Sequence, residues 1–72
     1  MGSVSKDVVV IKFRRSVITG RRIIIAVRIT GSARPCTRFL VIGSLVLSAE
    51  RCLLSHGFSL VVSRRNVLIF ER

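Results

Sequence analysis

One histidine and two cysteines have the types and spacing that could bind a metal ion. Cys52 and His56 are four residues apart, a spacing that places two side chains on one face of a helix. Zinc in proteins usually takes four ligands. Cys36 is the only other soft donor, so an acidic side chain or a water would have to complete the site. Because this set is incomplete, we interpret both cysteines as small hydrophobic core residues and predict no metal and no cofactor.

The cysteine count also bears on the compartment in which the chain works. Small secreted domains depend on several disulfides, and two cysteines are too few for such a framework. We therefore predict reduced thiols and an intracellular location, cytoplasmic or organellar, rather than secretion.

The residues available for catalysis are few. The acidic side chains are Asp7, Glu50 and Glu71. Ser55 is adjacent to His56, so their side chains diverge on a helix and do not form a nucleophile with its base. The five glycines are isolated along the chain, which leaves no glycine-rich loop to hold a phosphate. We predict that the chain is not an enzyme.

The basic residues are the remaining functional candidates. The 72 residues contain 13 Lys and Arg against 3 Asp and Glu, a formal net charge of +10. A compact chain with this charge repels itself, and a polyanion relieves the repulsion while it releases its own condensed counterions. Three arginine doublets separate the β-branched runs. The candidate nucleic-acid-binding residues are Arg14, Arg15, Arg21, Arg22, Arg64 and Arg65.

The chemistry of arginine indicates how such a partner would be held. A guanidinium group binds phosphate with two parallel hydrogen bonds. The chain has four phenylalanines and no Trp or Tyr, so its aromatic rings are needed in the core and base stacking is not the main mode. Contacts to phosphates give affinity with little sequence preference. The leading prediction is an RNA-binding or ribonucleoprotein component, of ribosomal or organellar type.

The elements that must position these arginines follow from periodicity and turn residues. The first two strands, beginning at Val8, form a long hairpin with its connection at Thr19 to Arg21. A third strand is expected from Thr37 to Ile42. Ser48 is expected to cap a short helix over 49–56, with a glycine just past its end.

The second strand and the end of the chain add two further expectations. Strict alternation predicts that one face of the second strand belongs to the core; its members are Ile23, Ile25, Val27 and Ile29. The apolar runs at 58–63 and 67–70 are expected to close the chain as a second hairpin.

The resulting order of strand, strand, strand, helix, strand, strand resembles the topology of the OB-fold. That fold is a five-stranded, partly open barrel, and here its helix would follow the third strand. We predict a mainly β, β-rich α+β fold: a small five-stranded OB-like barrel, or another meander of the same order. The whole chain, 1–72, is expected to be one domain with 1–6 as a flexible tail.

Three other interpretations stay open. The arginines could simply keep an apolar sheet soluble. Half of the residues are hydrophobic, and the core of one small monomer does not easily bury so many. The chain could therefore be a self-assembling module that pairs through sheet edges. A designed or newly arisen sequence would also fit this interpretation. A third possibility is an anionic membrane surface with Phe39 to Leu47 inserted, but the apolar runs are strand-like, which argues against an interfacial helix.

Overall fold

The β-branched runs form an open antiparallel sheet in a computed structural model that describes residues 6–72. Four strands lie in the order β2-β1-β4-β3. In chain order the elements are β1 (Val8–Arg15), β2 (Arg22–Thr30), a short 3₁₀ helix (Cys36–Phe39), α1 (Val46–Ser55), β3 (Ser59–Ser63) and β4 (Val67–Glu71). The mainly β class is confirmed. The predicted tail at 1–6 lies, apart from Lys6, outside the described residues.

Both predicted hairpins are confirmed. β1 pairs with β2 and β3 pairs with β4, each antiparallel, and β1 also pairs with β4. The first hairpin closes where the Ser16 backbone N–H donates to the Arg21 carbonyl at 2.8 Å. Gly20 adopts a φ of 74° in this turn, a conformation that glycine accepts without a steric penalty.

The predicted third strand is wrong, and with it the five-stranded barrel. Residues 37–42 lie in the 3₁₀ helix and the turn after it. The core residues of this region are Ala33, Cys36 and Leu40. Their spacing of three and four is helical rather than alternating, so an extended strand could not bury them together. The sheet therefore stays open, and this segment covers one of its faces.

The helix begins earlier than its predicted range of 49–56. Leu45 occupies the N-cap position in extended conformation and offers no side-chain cap, and Ser48 lies inside α1 rather than before it. The helix instead starts where Val46 enters the core. Within residues 6–72, no helix is long and apolar enough to cross a membrane.

The predicted end of the helix is confirmed. Gly57 has a φ of 90°, the left-handed conformation that commonly follows a helix C-terminus. The Phe58 backbone N–H donates back to the Leu53 carbonyl at 3.0 Å. This turn directs the chain from α1 into β3.

A β-bulge reverses the predicted faces at the start of β2. Lys12 lies opposite Ala26, but Phe13 lies opposite Ile24, which leaves Ile25 as the extra residue. Such an insertion shifts the side-chain alternation by one position. Ile24 is consequently fully buried and Ile25 is 43% exposed. The prediction that Ile25 belongs to the core is therefore wrong.

The sheet has one covered and one open face. α1 and the 3₁₀ helix cover the face that carries Val9, Ile11 and Phe13. On β1 the other face carries Val10, Lys12 and Arg14, because side chains alternate along a strand. The open face is therefore partly apolar and partly basic.

Candidate nucleic-acid interface

The first hairpin brings four candidate arginines to one end of the sheet. Arg14 and Arg15 are the last residues of β1, and Arg22 is the first residue of β2. Arg15 lies directly opposite Arg22 in the ladder. Arg21 immediately precedes Arg22 in the turn. Convergence of these four residues, expected from the sequence, follows from the register of the hairpin.

The second hairpin delivers the other doublet to the same end. β4 begins with Val67 opposite Lys12, and the Phe13 backbone N–H donates to the Asn66 carbonyl at 3.0 Å. The turn that precedes β4 therefore lies beside the last residues of β1. We call the region formed by both turns the arginine end; its members are Arg14, Arg15, Arg21, Arg22, Arg64 and Arg65.

The acidic residues neutralise little of this charge. Asp7 pairs with Arg72 at 2.8 Å and Glu71 with Lys6 at 3.6 Å, both beside the start of β1 and far along the strands from the arginine end. Glu50 pairs with Arg22 at 3.4 Å. Within residues 6–72, the other five members of the arginine end have no carboxylate partner.

Arg22 differs from its neighbours because it is held from two sides. Besides its ion pair with Glu50 of α1, its guanidinium lies over the Phe13 ring, 5.3 Å from the centroid. These contacts tie the start of β2 to the helix and fix one wall of the arginine end. Arg22 thus has a structural role, and the free donors come mainly from the other five arginines.

Two grooves open between these side chains. The larger, of about 400 Å³, is lined by Arg15, Gly20, Arg21, Arg22, Leu45 and Leu47. The smaller, of about 220 Å³, is lined by Arg14, Arg15, Ser16, Val17, Ile18 and Ile23. Each combines guanidinium donors with an apolar wall. A phosphodiester with its attached sugar has the same combination of charged and less polar parts.

The tip of the first hairpin exposes two apolar side chains and is closed by its own hydrogen bonds. Val17 and Ile18 are 101% and 90% exposed. The Ser16 hydroxyl accepts hydrogen bonds from the backbone N–H groups of Ile18 and Thr19, at 3.2 and 3.3 Å, so the turn is fixed by its own residues. The connection predicted at Thr19 to Arg21 is therefore too short, because β1 ends at Arg15 and the turn already includes Val17 and Ile18.

Lys12 and Arg28 extend the basic surface beyond the residues predicted from the sequence. Together with Val10 they line a shallow groove of about 290 Å³ on the open face. Lys12 is two residues before Arg14, so strand alternation places both on one face. That signal was available in the sequence. Arg28 lies between Val27 and Ile29, two members of the predicted core face, so the same alternation places it on the other face.

The two cysteines do not form the predicted reduced pair. Cys36 and Cys52 are joined by a disulfide, with their Cα atoms 5.7 Å apart. His56, just past α1, has its Nδ1 atom 2.8 Å from the Cys52 carbonyl oxygen and 3.8 Å from each sulfur. The interpretation of Cys36 as a buried core residue is confirmed, but the thiols are oxidised. Because the pair is a disulfide, the cysteines do not support the predicted intracellular location.

Comparison with protein-family models, with curated proteins and with solved structures found no match for the chain.

Proposed function

We propose that this chain is a non-enzymatic nucleic-acid-binding domain, with RNA as the first partner, that holds backbone phosphates at its arginine end. One observation supports this most strongly: five arginines from the ends of two separate hairpins gather at one end of the sheet without a carboxylate partner among residues 6–72. The same proposal includes an intracellular location in a ribonucleoprotein, because RNA is present inside cells.

The proposed mode of binding is electrostatic and geometric. Arg15 and Arg21 flank the larger groove and donate in pairs to phosphate oxygens. Arg22, which is paired with Glu50, fixes one wall of that groove. Leu45 and Leu47, which line the same groove, contact the sugar edge. Since none of these contacts reads a base edge, affinity is expected with little sequence preference.

The salt dependence of binding tests the proposal. Each phosphate neutralised on a single strand contributes about 0.7 to the log-log slope, so five contacts predict a slope near −3.5 with increasing salt. The measurement is fluorescence anisotropy of a labelled polyuridine strand titrated with the full chain at several salt concentrations. A slope near zero, or no binding at low salt, would remove the proposal.

Anionic vesicles provide the necessary comparison, because a membrane surface is also a polyanion. The chain is expected not to bind vesicles of phosphatidylserine and phosphatidylcholine at physiological salt, since purely electrostatic attraction is screened within about 8 Å at that ionic strength. Retention at high salt would instead show that exposed apolar residues, such as Val17, Ile18 and Ile42, insert among the acyl chains. That outcome would replace the nucleic-acid proposal with a membrane one.

Self-association is a second candidate, favoured by a separate observation. β3 is an edge strand, and its Leu60 and Val61 are exposed, which makes it a template for pairing with another copy. The other edge is partly covered, because Gly43 and Ser44 exchange backbone hydrogen bonds with Ile24 at 2.8 and 2.9 Å. Sedimentation at micromolar concentration distinguishes the two states. A monomer excludes self-association, and a dimer that dissociates in the Val61→Lys variant supports it.

A further inference from the structure

A second group of reactive side chains lies at the C-terminal end of α1. Cys36, Cys52 and His56 each offer one donor atom, and these atoms all lie within 4.8 Å of one another. None of the three takes part in the arginine end. Two soft sulfurs and an imidazole nitrogen are a donor set that zinc and related ions prefer.

The distances among these donors nearly match those of a metal site. Zinc binds sulfur at about 2.3 Å and imidazole nitrogen at about 2.0 Å, so two ligands of one tetrahedral ion lie about 3.5 to 3.8 Å apart. His56 Nδ1 is already 3.8 Å from the Cys36 sulfur and 3.8 Å from the Cys52 sulfur. Only the separation between the two sulfurs is too small, because they are covalently bonded.

We propose that Cys36, Cys52 and His56 form a redox-gated site for a soft divalent ion of the zinc type. In the oxidised chain the two sulfurs form the disulfide, and the site cannot bind metal. A dithiol reductant breaks the S–S bond by supplying two electrons and two protons, and its own thiols become a disulfide. The ion then replaces both thiol protons, which leave to solvent, and binds the two sulfurs and the imidazole.

The surroundings of the site fit this exchange. Cys36 is fully buried, Cys52 is partly buried and His56 is exposed, so an ion can arrive from the His56 side and a water can take the fourth position. The hydrogen bond between His56 Nδ1 and the Cys52 carbonyl, 2.8 Å long, holds the ring beside the sulfurs. Metal binding replaces this bond, and the ring proton moves to Nε2, the other ring nitrogen.

The ion would preserve a connection that reduction otherwise removes. The disulfide joins the 3₁₀ helix (Cys36–Phe39) to α1, and both segments cover the same face of the sheet. A metal bound by one sulfur from each segment makes the same link. The site therefore gives the fold a cross-link in both redox states, independently of any nucleic-acid role.

Cobalt provides the probe, because Co²⁺ takes the same ligands and absorbs light. The full chain, reduced with a phosphine under argon, is expected to bind one Co²⁺ with a thiolate-to-metal charge-transfer band and the visible bands of a tetrahedral ion, and Zn²⁺ should displace it. The oxidised chain should give no such bands. Absence of the bands in the reduced chain, or their presence in the oxidised chain, would overturn the proposal.

Variants identify the ligands. His56→Gln should weaken Co²⁺ binding by at least tenfold, since even outer-shell changes cost about 10- to 100-fold, and Cys52→Ser should abolish the charge-transfer band. Arg51→Gln, on the same helix, is the control and should bind normally. Equal affinity in His56→Gln and the unaltered chain would overturn the three-ligand site.

Folding of the reduced chain is a second readout. If reduction alone unfolds the protein, Zn²⁺ should restore its circular dichroism, because binding to a site absent from the unfolded chain stabilises the folded state. No recovery with Zn²⁺ would contradict the proposal as clearly as missing cobalt bands.

Discussion

Arg72 differs from the members of the arginine end because its guanidinium is held by contacts within the fold. It lies beside the start of β1, where its Nε and Nη2 atoms donate to one carboxylate oxygen of Asp7 at 3.0 and 2.8 Å. Its guanidinium also lies 4.4 Å from the centroid of the Phe58 ring. It donates further to the backbone carbonyls of Ser32, Arg34 and His56. This arginine is a structural cross-link with few donors left for a partner.

The carboxylate of Asp7 makes this cross-link sensitive to acid. The backbone N–H of Ser32 and then the side chain of Arg72 hold the pKa of Asp7 below its ordinary value of 3.8. A lowered folded-state pKa contributes stability above the unfolded-state value, and this contribution is lost as the pH falls through the folded-state pKa. The chain should therefore lose stability as the pH falls below about 4.

Asp7→Asn tests this contribution. The variant should be less stable than the unaltered chain at neutral pH and should lose less stability on acidification. The difference in unfolding free energy between the two should therefore narrow as the pH falls through the lowered pKa of Asp7. Urea denaturation at a series of pH values measures it. Glu71→Gln is the control, because its ion pair with Lys6 is longer and more exposed. If the unfolding free energy of Asp7→Asn falls with acid as steeply as that of the unaltered chain, another group causes the acid sensitivity.

At the scale of elements, the sequence predicted what local residues determine and missed what tertiary packing determines. Both hairpins and the helix end at Gly57 follow from turn residues and φ preferences that act locally. The segment 37–42 has strand-forming residues, yet Cys36 enters the core together with Ala33, three residues earlier, a spacing that an extended strand cannot place on one face. The sequence does not indicate the bulge at Ile25, because any of the three consecutive isoleucines could be the extra residue.

Neighbouring isoleucines test the bulge. Ile24→Ala should cost about 2 to 5 kcal/mol of unfolding free energy, since it leaves a cavity in the core. Ile25→Ala removes the same atoms from an exposed position and should cost within about 1 kcal/mol. Urea denaturation compares the two variants. Strict alternation without a bulge predicts the opposite ranking, so a larger loss in Ile25→Ala would show that the register is wrong.

For the molecule as a whole, a small core depends on its cross-link. The disulfide spans 16 residues, and a closed loop of about 15 residues stabilises a fold by about 3 kcal/mol in the chain-entropy description. Reduction in the presence of a chelator should lower the free energy of unfolding by about that amount. Cys52→Ala, treated in the same way, should show no response to reductant. An unchanged unfolding curve on reduction would mean that the cross-link does not stabilise the fold.

The distribution of charge is also a property of the whole molecule. The doublets could be recognised in the sequence, and the convergence of the first two followed from one predicted hairpin. The position of Arg64 and Arg65 beside them depends on the pairing of β1 with β4, a contact between distant parts of the chain. Local patterns do not determine such a contact, so the full arginine end emerges only from the sheet order.

Two variants of equal net charge test the arginine end most directly. The first carries Arg14→Gln, Arg15→Gln and Arg21→Gln; the second carries Arg34→Gln, Arg38→Gln and Arg51→Gln, at exposed positions outside the arginine end. The salt dependence of polyuridine binding is measured for both. The first should reduce the log-log slope by about 2, three phosphate contacts at about 0.7 each, while the second should leave it nearly unchanged. Equal reductions would show that binding follows net charge alone and would contradict a phosphate site at the arginine end.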